Sequence, residues 1–210
     1  MDDRITDLPA RKLIERLATS EPIPGGGSAS ALAGAMGAAL VQMVVALTSG
    51  RAADAEPELA DIAVAAANCQ SELLNLAELD AVAYDAVVQA RRLPKETDLE
   101  REARSVQVAA ATREATRAPM HTARMAATVL DLAERLAPIG NRNAISDVGV
   151  AALLAAAAIR GAALNVRINL PYLDAEETLR DEAGAEVERL LAGLDERERA
   201  IRGAVEARLA

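Results

Sequence analysis

The amino-acid sequence predicts an all-α fold, an up-and-down bundle of about five long helices with shorter helical pieces. Phe and Trp are absent and Tyr occurs twice among 210 residues, so Ala, Leu, Val and Ile must fill the core and helices can approach one another closely. No segment shows the sustained apolar and polar alternation that is typical of strands. No linker rich in Gly, Ser or Pro divides the chain, which indicates a single domain over residues 1–210.

Helix-capping and helix-breaking residues set the elements expected in the first half of the chain. Thr6 or Asp7 can cap a short amphipathic helix, and Ser28 is placed to cap the uncharged apolar run that follows it. Pro57 suits the first turn of the next helix, in which apolar residues recur at helical spacing until Pro94 stops it. The expected helices are 8–17, 28–48 and 57–91.

The same rules set the elements in the second half. A helix that begins near Asp98 should kink at Pro119, because proline removes a backbone donor. Ser146 can cap the following helix, and Asp147 would lie in its first turn, where a carboxylate complements the helix dipole. The last helix can break near Gly184. The expected helices are 98–136, 147–165 and 174–209.

Charge and hydropathy restrict the partners of the chain. The formal net charge of −9 argues against a nucleic-acid partner, since phosphate neutralisation requires a basic face. The uncharged segment 29–47 has the length of a membrane span, yet it consists mainly of small residues and no Lys/Arg cluster flanks it. We therefore expect a buried helix of a soluble protein and no membrane partner. The opening Met1-Asp2-Asp3 does not resemble a signal peptide, which indicates the cytoplasm.

The scarcity of metal-binding residue types limits the chemistry. The chain has one histidine, His121, and one cysteine, Cys69. A single histidine excludes a metal site built on several histidines. Cys69 lies in an apolar helical run, which is typical of a buried and inert thiol. We expect no catalytic metal and no cofactor.

The segment Gly25–Ser28 is the first candidate site. Three consecutive glycines expose the backbone in front of a helix, whose first N–H groups have no partner within the helix and attract an anion or a carbonyl. A glycine turn that only lets two helices pack closely explains the same residues. The loop alone does not decide between ligand binding and packing.

Two further polar sets are candidates. Asp80 and Tyr84 are four residues apart and therefore share a helix face, with Lys95 just past the end of the helix. A solvated face with intrahelical ion pairs is the alternative. The loop 141–147 feeds a helix of small residues, as the glycine loop does. In an antiparallel bundle, helix starts two elements apart fall at the same end, so the two loops could converge on one pocket.

Three segments, in this order along the chain, resemble the formiminotetrahydrofolate cyclodeaminase and methenyltetrahydrofolate cyclohydrolase family. They are a Pro-Gly-Gly-Gly-Ser loop before an Ala/Gly-rich helix at 24–47, the segment 80–95 that ends in Leu-Pro-Lys, and 140–170, which opens with Gly-Asn-Arg-Asn-Ala-Ile-Ser-Asp. One departure is Arg51, where we expect lysine in the family, followed by a shorter link. The resemblance implies an all-α bundle that forms a homodimer and a tetrahydrofolate derivative as substrate.

The resemblance also suggests roles for the candidate residues. The cyclohydrolase and the cyclodeaminase reactions of the family both pass through a tetrahedral carbon that bears nitrogen leaving groups. This chemistry needs a group that moves protons and a carboxylate that stabilises a cationic carbon. We expect Asp80 or Asp147 to contact the cationic part of the folate and Lys95 to donate or accept the proton. The residues expected to bind substrate are Gly25, Gly26, Gly27, Ser28, Tyr84, Asn141, Asn143 and Ser146.

Hydrolysis of 5,10-methenyltetrahydrofolate to 10-formyltetrahydrofolate is the expected reaction. The bifunctional members of the family carry a formiminotransferase domain before this one, and 210 residues leave no space for it. The alternative is a formiminotetrahydrofolate cyclodeaminase that releases ammonia. An alternative of another class is a non-catalytic helical assembly module, which would lack a pocket where the three motifs meet.

Overall fold

The computed structural model describes residues 4–50, 55–173 and 178–209, and the regular structure within these ranges is helical. The helices are α1 (Ala10–Leu17), α2 (Gly26–Thr48), α3 (Glu56–Arg92), α4 (Asp98–Leu136), α5 (Ile145–Asn169), α6 (Thr178–Leu191) and α7 (Leu194–Leu209). Short 3-10 turns lie at Ile5–Asp7, Arg142–Ala144 and Leu170–Tyr172. The all-α prediction is confirmed, and the bounds of α3 and α4 agree with the predicted ones to within one residue.

Helices α2 and α5 run antiparallel and approach closely through small residues. A Cβ added at Gly34 would lie 3.4 Å from the Cβ of Ala158, and one added at Gly161 would lie 2.2 Å from the hydroxyl of Ser30. Residue numbers rise along α2 as they fall along α5, which fixes the antiparallel direction. The small side chains therefore allow the close helix packing that the composition predicted.

Long apolar side chains fill the space between the four long helices. The largest of the fully buried side chains are Leu59, Ile62, Leu73, Leu76, Leu130, Leu136, Ile145, Ile159 and Ile201. A second apolar cluster joins α4, α5 and α6 through Met120, Ala163, Val166, Leu179, Ala183 and Val187. Helices α6 and α7 pack on α4 and α5, so they cover one side of the bundle.

The starts of α2 and α5 differ from the predicted ones. Gly25, in an extended conformation, is the N-cap of α2, and Ser28 lies inside the first turn with its side chain fully buried. Ala144 is the N-cap of α5, so Ser146 is a helical residue and not the cap. Asp147 lies in the first turn of α5 as predicted. Both serines were misassigned because the helix starts earlier than the first good capping side chain.

The predicted cap of α1 was also wrong. Pro9 is the N-cap and no side chain caps the helix. The hydroxyl and the N–H of Thr6 instead donate to Glu78 Oε1 on α3, at 2.7 Å and 2.8 Å, while Asp7 belongs to the preceding 3-10 turn. The Thr6 hydroxyl therefore ties the N-terminal segment to the bundle.

The last helix was predicted as one element with a break near Gly184, and the structure has two helices that meet at Gly193. Gly193 has a φ of 68°, which suits glycine, whereas Gly184 lies within α6. Helix α5 continues to Asn169, four residues past its predicted end. The predicted start of the last helix at Asp174, and Arg51, lie outside the described residues.

Among the described residues, two helical segments are long and apolar enough to cross a membrane by length and composition, Gly26–Thr48 and Arg142–Tyr172. Within their most apolar windows 50% and 56% of the residues are buried inside the bundle. Core helices of soluble proteins meet the same criteria, so this finding is weak support for a membrane span.

Candidate active site

A pocket of about 360 Å³ opens where α2 begins, α5 ends and the last third of α3 passes between them. This volume lies within the usual range for small-molecule sites. Its lining includes Ile23, Gly25, Gly26, Gly27, Asp80, Tyr84, Arg91, Asn165, Ile168, Asn169 and Tyr172. The glycine loop and the Asp80–Tyr84 face thus meet, which a purely structural role of the glycine loop does not require.

Asp80 of α3 lies directly over the first turn of α2. The hydroxyl of Ser28 donates to Asp80 Oδ2 at 3.1 Å and to the Ala77 carbonyl oxygen at 3.0 Å, and the backbone N–H of Ser28 also donates to the Asp80 carboxylate. Gly27 leaves the room for this contact, since a Cβ there would lie 2.0 Å from Asp80 Oδ1. One of the free amides at the start of α2 is therefore taken by a carboxylate from within the chain.

The pKa of Asp80 is raised above its ordinary value of 3.8, because burial in the pocket removes water from the carboxylate. The hydrogen bonds from the Ser28 side chain and backbone act in the opposite direction and lower the pKa of this group. The burial effect is the larger one. Asp80 therefore takes up a proton at a higher pH than an exposed aspartate does.

Both tyrosines of this aromatic-poor chain line the same pocket. Tyr84 and Tyr172 are 46% and 58% exposed, so both rings have free surface. The guanidinium carbon of Arg91 lies 4.9 Å from the centre of the Tyr172 ring, within the range of cation–π interactions. Two aromatic faces and one cation at a pocket suit a flat ligand that carries an anionic group.

Two asparagines of α5 add hydrogen-bonding groups to the wall. Asn165 Nδ2 donates to the Gly161 carbonyl oxygen and Asn169 Nδ2 to the Ala115 carbonyl oxygen, each at 2.8 Å. In the part of the chain that the structure describes, no donor reaches either Oδ1 atom. The two side chains are one helical turn apart and offer two acceptors on one face of α5.

Within one chain, the predicted convergence of the two loops is wrong. The starts of α2 and α5 are three elements apart in the antiparallel bundle, so they lie at opposite ends and the glycine loop meets the end of α5. A Cβ at Gly26 would lie 3.7 Å from Asn165 Nδ2, whereas Thr48 at the far end of α2 receives the N–H of Asn141 at 2.8 Å. Helix α2 separates these two ends by about 33 Å.

Within one chain, the four predicted site residues of the loop 141–147 thus lie away from the pocket, namely Asn141, Asn143, Ser146 and Asp147, and the buried Ser28 reaches it only through Asp80. Asn141 has a structural role there, since its Nδ2 donates to the Leu47 carbonyl oxygen at 2.7 Å and its Oδ1 accepts the N–H of Asn143 at 3.0 Å. Lys95 is exposed in the link between α3 and α4, and its carbonyl oxygen accepts a hydrogen bond from Arg101. It does not line the pocket either.

Four polar or aromatic lining residues were missed, Arg91, Asn165, Asn169 and Tyr172. The rarity of aromatic residues could have indicated Tyr172, because a chain with two tyrosines and neither Phe nor Trp has little use for aromatic rings in its core. Spacing could have indicated the two asparagines, which are four residues apart on one helix. Arg91 carries no sequence signal that separates it from Arg92.

Other candidate groups lie outside this pocket. His121 Nδ1 is 3.5 Å from Glu72 Oε1 at the surface, and Cys69 is buried, with a pKa raised by burial. Across residues 4–50, 55–173 and 178–209, no group of three or more His, Cys, Asp or Glu side chains is placed to hold a metal ion.

Comparisons with known proteins find similarity to one family. The sequence profile of the formiminotransferase-cyclodeaminase family matches residues 9–189. A methenyltetrahydrofolate cyclohydrolase of Methylorubrum extorquens is 43% identical over 189 residues, which cover 84% of this chain and 91% of that protein. The formimidoyltransferase-cyclodeaminase of Mus musculus is 28% identical over 99% of this chain, which spans 38% of the mouse protein.

A solved structure has the same fold. The crystal structure of a formiminotetrahydrofolate cyclodeaminase from Thermotoga maritima superposes with a TM-score of 0.84 at 28% identity. The match covers 97% of this chain and 98% of that one.

Proposed function

The chain belongs to the formiminotransferase-cyclodeaminase family, and we propose that it is an enzyme that hydrolyses 5,10-methenyltetrahydrofolate to 10-formyltetrahydrofolate. The observation that carries this proposal is the meeting, at one pocket, of a half-buried carboxylate, Asp80, and both aromatic side chains of the chain. The non-catalytic alternative predicted no pocket shared by the motifs, and the shared pocket argues against it.

The pocket suits the flat, reduced pterin of a folate. A bicyclic ring can lie against the exposed faces of Tyr84 and Tyr172. The free Oδ1 atoms of Asn165 and Asn169 can accept hydrogen bonds from the amino group and ring N–H of the pterin. Arg91 at the pocket can pair with a glutamyl carboxylate of the substrate.

Asp80 is proposed to move the proton. Water adds to the cationic carbon that bridges N5 and N10 as its proton passes to Asp80, which gives a neutral tetrahedral carbon. The bond from this carbon to N5 then breaks, N5 takes the proton from Asp80, and the remaining hydroxyl loses its proton to solvent as the formyl C=O forms on N10. One proton is released overall. Because the carbon is already cationic, the proposal includes no metal and no cofactor.

The ionised Asp80 also lowers the energy of the cation before water adds. A carboxylate with restricted hydration interacts with a nearby positive charge more strongly than one in bulk water does. Lys95 remains a proposed proton donor or acceptor, three residues past the end of α3.

A cyclodeaminase reaction is the second candidate. The Thermotoga maritima structure, named as a formiminotetrahydrofolate cyclodeaminase, favours it, since it matches the whole chain at a TM-score of 0.84. The higher identity of 43% with a cyclohydrolase that this chain covers almost completely favours hydrolysis. Both reactions need the same pterin pocket and one proton-carrying group.

The test is a pair of assays on the purified protein. Loss of methenyltetrahydrofolate absorbance, corrected for the uncatalysed rate, measures hydrolysis, and release of ammonia from formiminotetrahydrofolate measures deamination. We expect the first to be fast and the second slow or absent. The reverse result would assign the chain to the cyclodeaminases, and inactivity in both assays would contradict enzymatic function.

We also propose that the chain forms a homodimer, as the family resemblance implied. Exposed apolar side chains on α2 and α5 support this proposal, among them Met36, Met43, Leu153, Leu164 and Ile168, which are 40–67% exposed. Light scattering measures the oligomeric state directly. The cytoplasmic location and the lack of nucleic-acid or membrane partners stay predictions.

A further inference from the structure

Helices α2 and α5 present two exposed stripes at coiled-coil-like spacing. The α2 stripe consists of Gly26, Ala29, Ala33, Met36, Leu40, Met43 and Leu47, and the α5 stripe of Ser146, Val150, Leu153, Ala157, Gly161, Leu164 and Ile168. Successive members are three or four residues apart, and each is exposed or half-buried. An isolated surface helix would be expected to carry charged residues on such a face.

Charged side chains are absent from the stripes. Helix α2 contains no Asp, Glu, Lys or Arg over its whole length. On α5, Arg160 pairs with Asp195 of α7, and Arg167 pairs with Glu188 of α6. These pairs lie on the side that α6 and α7 cover, so the outward side of α2 and α5 stays uncharged.

The exposed apolar area is large for a monomer. Seven large side chains of the stripes are 40–67% exposed, namely Met36, Met43, Leu47, Val150, Leu153, Leu164 and Ile168. Together they expose on the order of 600 Å², which reaches the upper limit for the largest apolar patch on a typical monomer. With the alanines between them, the stripes approach the roughly 800 Å² per partner of a standard interface.

The stripes connect the pocket to the loop at the other end of the bundle. Gly26 and Ile168 end the two stripes on one side, and both line the pocket. On the other side lie Leu47 and Ser146, next to the 3-10 turn Arg142–Ala144. Any partner that covers the stripes therefore also covers the open edge of the pocket.

Side-chain size along α2 favours a reversed copy of this chain as the partner. The half of the α2 stripe near the pocket carries Ala29 and Ala33, and the other half carries Met43 and Leu47. A closed homodimer has a two-fold axis. If this axis is perpendicular to the helices, α2 of one copy packs antiparallel to α2 of the other. The small residues at the pocket end of each α2 then face the large ones at the far end of the other α2, which packs evenly.

We propose that a second copy of this chain docks in this way, so that segment 143–147 of the partner closes the pocket and its aspartate contacts the bound cation. In the described ranges, the side chains of Asn143, Ser146 and Asp147 make no hydrogen bond. The loop that carries them is held firmly, since Arg208 donates to the carbonyl oxygens of Ala137 and Gly140.

The partner would supply a second carboxyl group to the pocket. Asp80 is the only carboxyl group among the lining residues of the described chain. The partner's Asp147 would place a second carboxylate beside the cationic amidinium, while the partner's Asn143 and the partner's Ser146 would exclude water and offer hydrogen bonds. This catalytic role rests on the proposed function, whereas the docking geometry does not.

Subunit complementation tests the shared site. Asp80→Asn removes the carboxylate of the pocket, and Asp147→Asn removes the one from the loop, so each homodimer should lose at least tenfold in turnover. The two variants are co-expressed with different affinity tags, and the mixed dimer is purified on both. One of its two sites then combines an intact pocket with an intact loop, so it should regain about half of the wild-type turnover.

The outcomes separate the two proposals. A mixed dimer no more active than its parents, or an Asp147→Asn homodimer with wild-type turnover, would overturn the shared site. An inactive wild-type protein would overturn the proposed function. The docking geometry would then be tested by cross-linking, which needs no activity. Circular dichroism and light scattering of each variant establish that it is folded and dimeric.

Cross-linking tests the docking geometry without any activity. Met36 lies near the middle of the α2 stripe and therefore near the proposed axis, so Met36→Cys should form a covalent dimer on mild oxidation. The native Cys69 is 4% exposed and should not interfere. Val64→Cys lies on α3 at a position that is 64% exposed, against 54% for Met36, so it is the matched control and should stay uncoupled. A monomeric protein, or equal coupling of both variants, would rule out the reversed dimer.

Discussion

The carboxylate of Asp80 lies against the backbone of Gly27, so closely that any side chain at position 27 would collide with it. A Cβ there would be 2.0 Å from Oδ1 and 2.4 Å from Cγ of Asp80. Gly27 thus lets a carboxylate of α3 reach the first turn of α2, where the Ser28 amide and hydroxyl hold it. The glycine loop therefore has a second purpose besides exposing its own backbone.

Gly27→Ala should displace Asp80 and lower turnover by about a hundredfold, since misplacing a reacting group by an ångström commonly costs that much. Overpacking should lower the free energy of unfolding by about 1–3 kcal/mol. Turnover and thermal unfolding measure the two effects. Gly203→Ala is the matched control, because nothing lies within 4 Å of its added Cβ. Wild-type turnover in Gly27→Ala would contradict the role given to Asp80.

The acid side of the pH profile should report Asp80. Burial raises its pKa above 3.8, so the proton-accepting form should be lost at a higher pH than for an exposed aspartate as pH falls. Ser28→Ala removes a hydrogen bond that lowers this pKa, and the acid limb of kcat/KM should therefore move to still higher pH. Ser30→Ala, whose hydroxyl bonds to the Gly26 carbonyl oxygen, should leave the limb in place. An unmoved limb in Ser28→Ala would exclude Asp80 as the titrating group.

Tyr172→Leu should raise KM by about five- to tenfold with little change in kcat, because loss of ring stacking costs about 1 kcal/mol in the ground state and the transition state alike. Tyr172→Phe keeps the ring and should stay close to wild type. Steady-state kinetics on methenyltetrahydrofolate provide both constants. Equal KM values for the Leu and Phe variants would show that the ring does not bind substrate.

Lys95→Met should lower turnover at least tenfold if Lys95 carries a proton, and Lys95→Arg should not restore it, because arginine keeps its proton near neutral pH. The chain offers a matched control, since Lys12 is its only other lysine and lies on α1. Lys12→Met should keep wild-type turnover. Wild-type turnover in Lys95→Met would show that Lys95 does not carry the proton and that Asp80 acts without it.

The ionised side chain of Glu186 should stabilise the folded protein at neutral pH. Hydrogen bonds from Arg189 and Arg124 lower its pKa from 4.5 to about 2, so its stabilisation is complete above the ordinary pKa and is lost as pH falls from about 4.5 towards 2. Glu186→Gln should therefore lower the free energy of unfolding by about 1–2 kcal/mol at pH 7, since both arginines are partly exposed. The difference should shrink in denaturant titrations at pH 3. Glu182→Gln, exposed on the same helix, is the control, and an equal loss there would contradict the assignment to this ion pair.

Local sequence determined the helices and part of the site. Proline positions and apolar spacing predicted α3 and α4 to within one residue, because such signals act within a few turns of one helix. The four-residue spacing of Asp80 and Tyr84 placed both on one face, and both line the pocket. The family resemblance also followed from segments that are each continuous in the chain.

Tertiary structure alone decided which distant residues meet. Ser28 and Asp80 are 52 positions apart, and their contact depends on how α2 and α3 are rotated against each other, which no periodicity within one helix specifies. The direction of α5 likewise brings Asn165 and Asn169 to the pocket and carries Asp147 to the far end. The physical reason is that a helix fixes only the arrangement of its own faces, whereas the packing of the whole core fixes the direction and rotation of its neighbours.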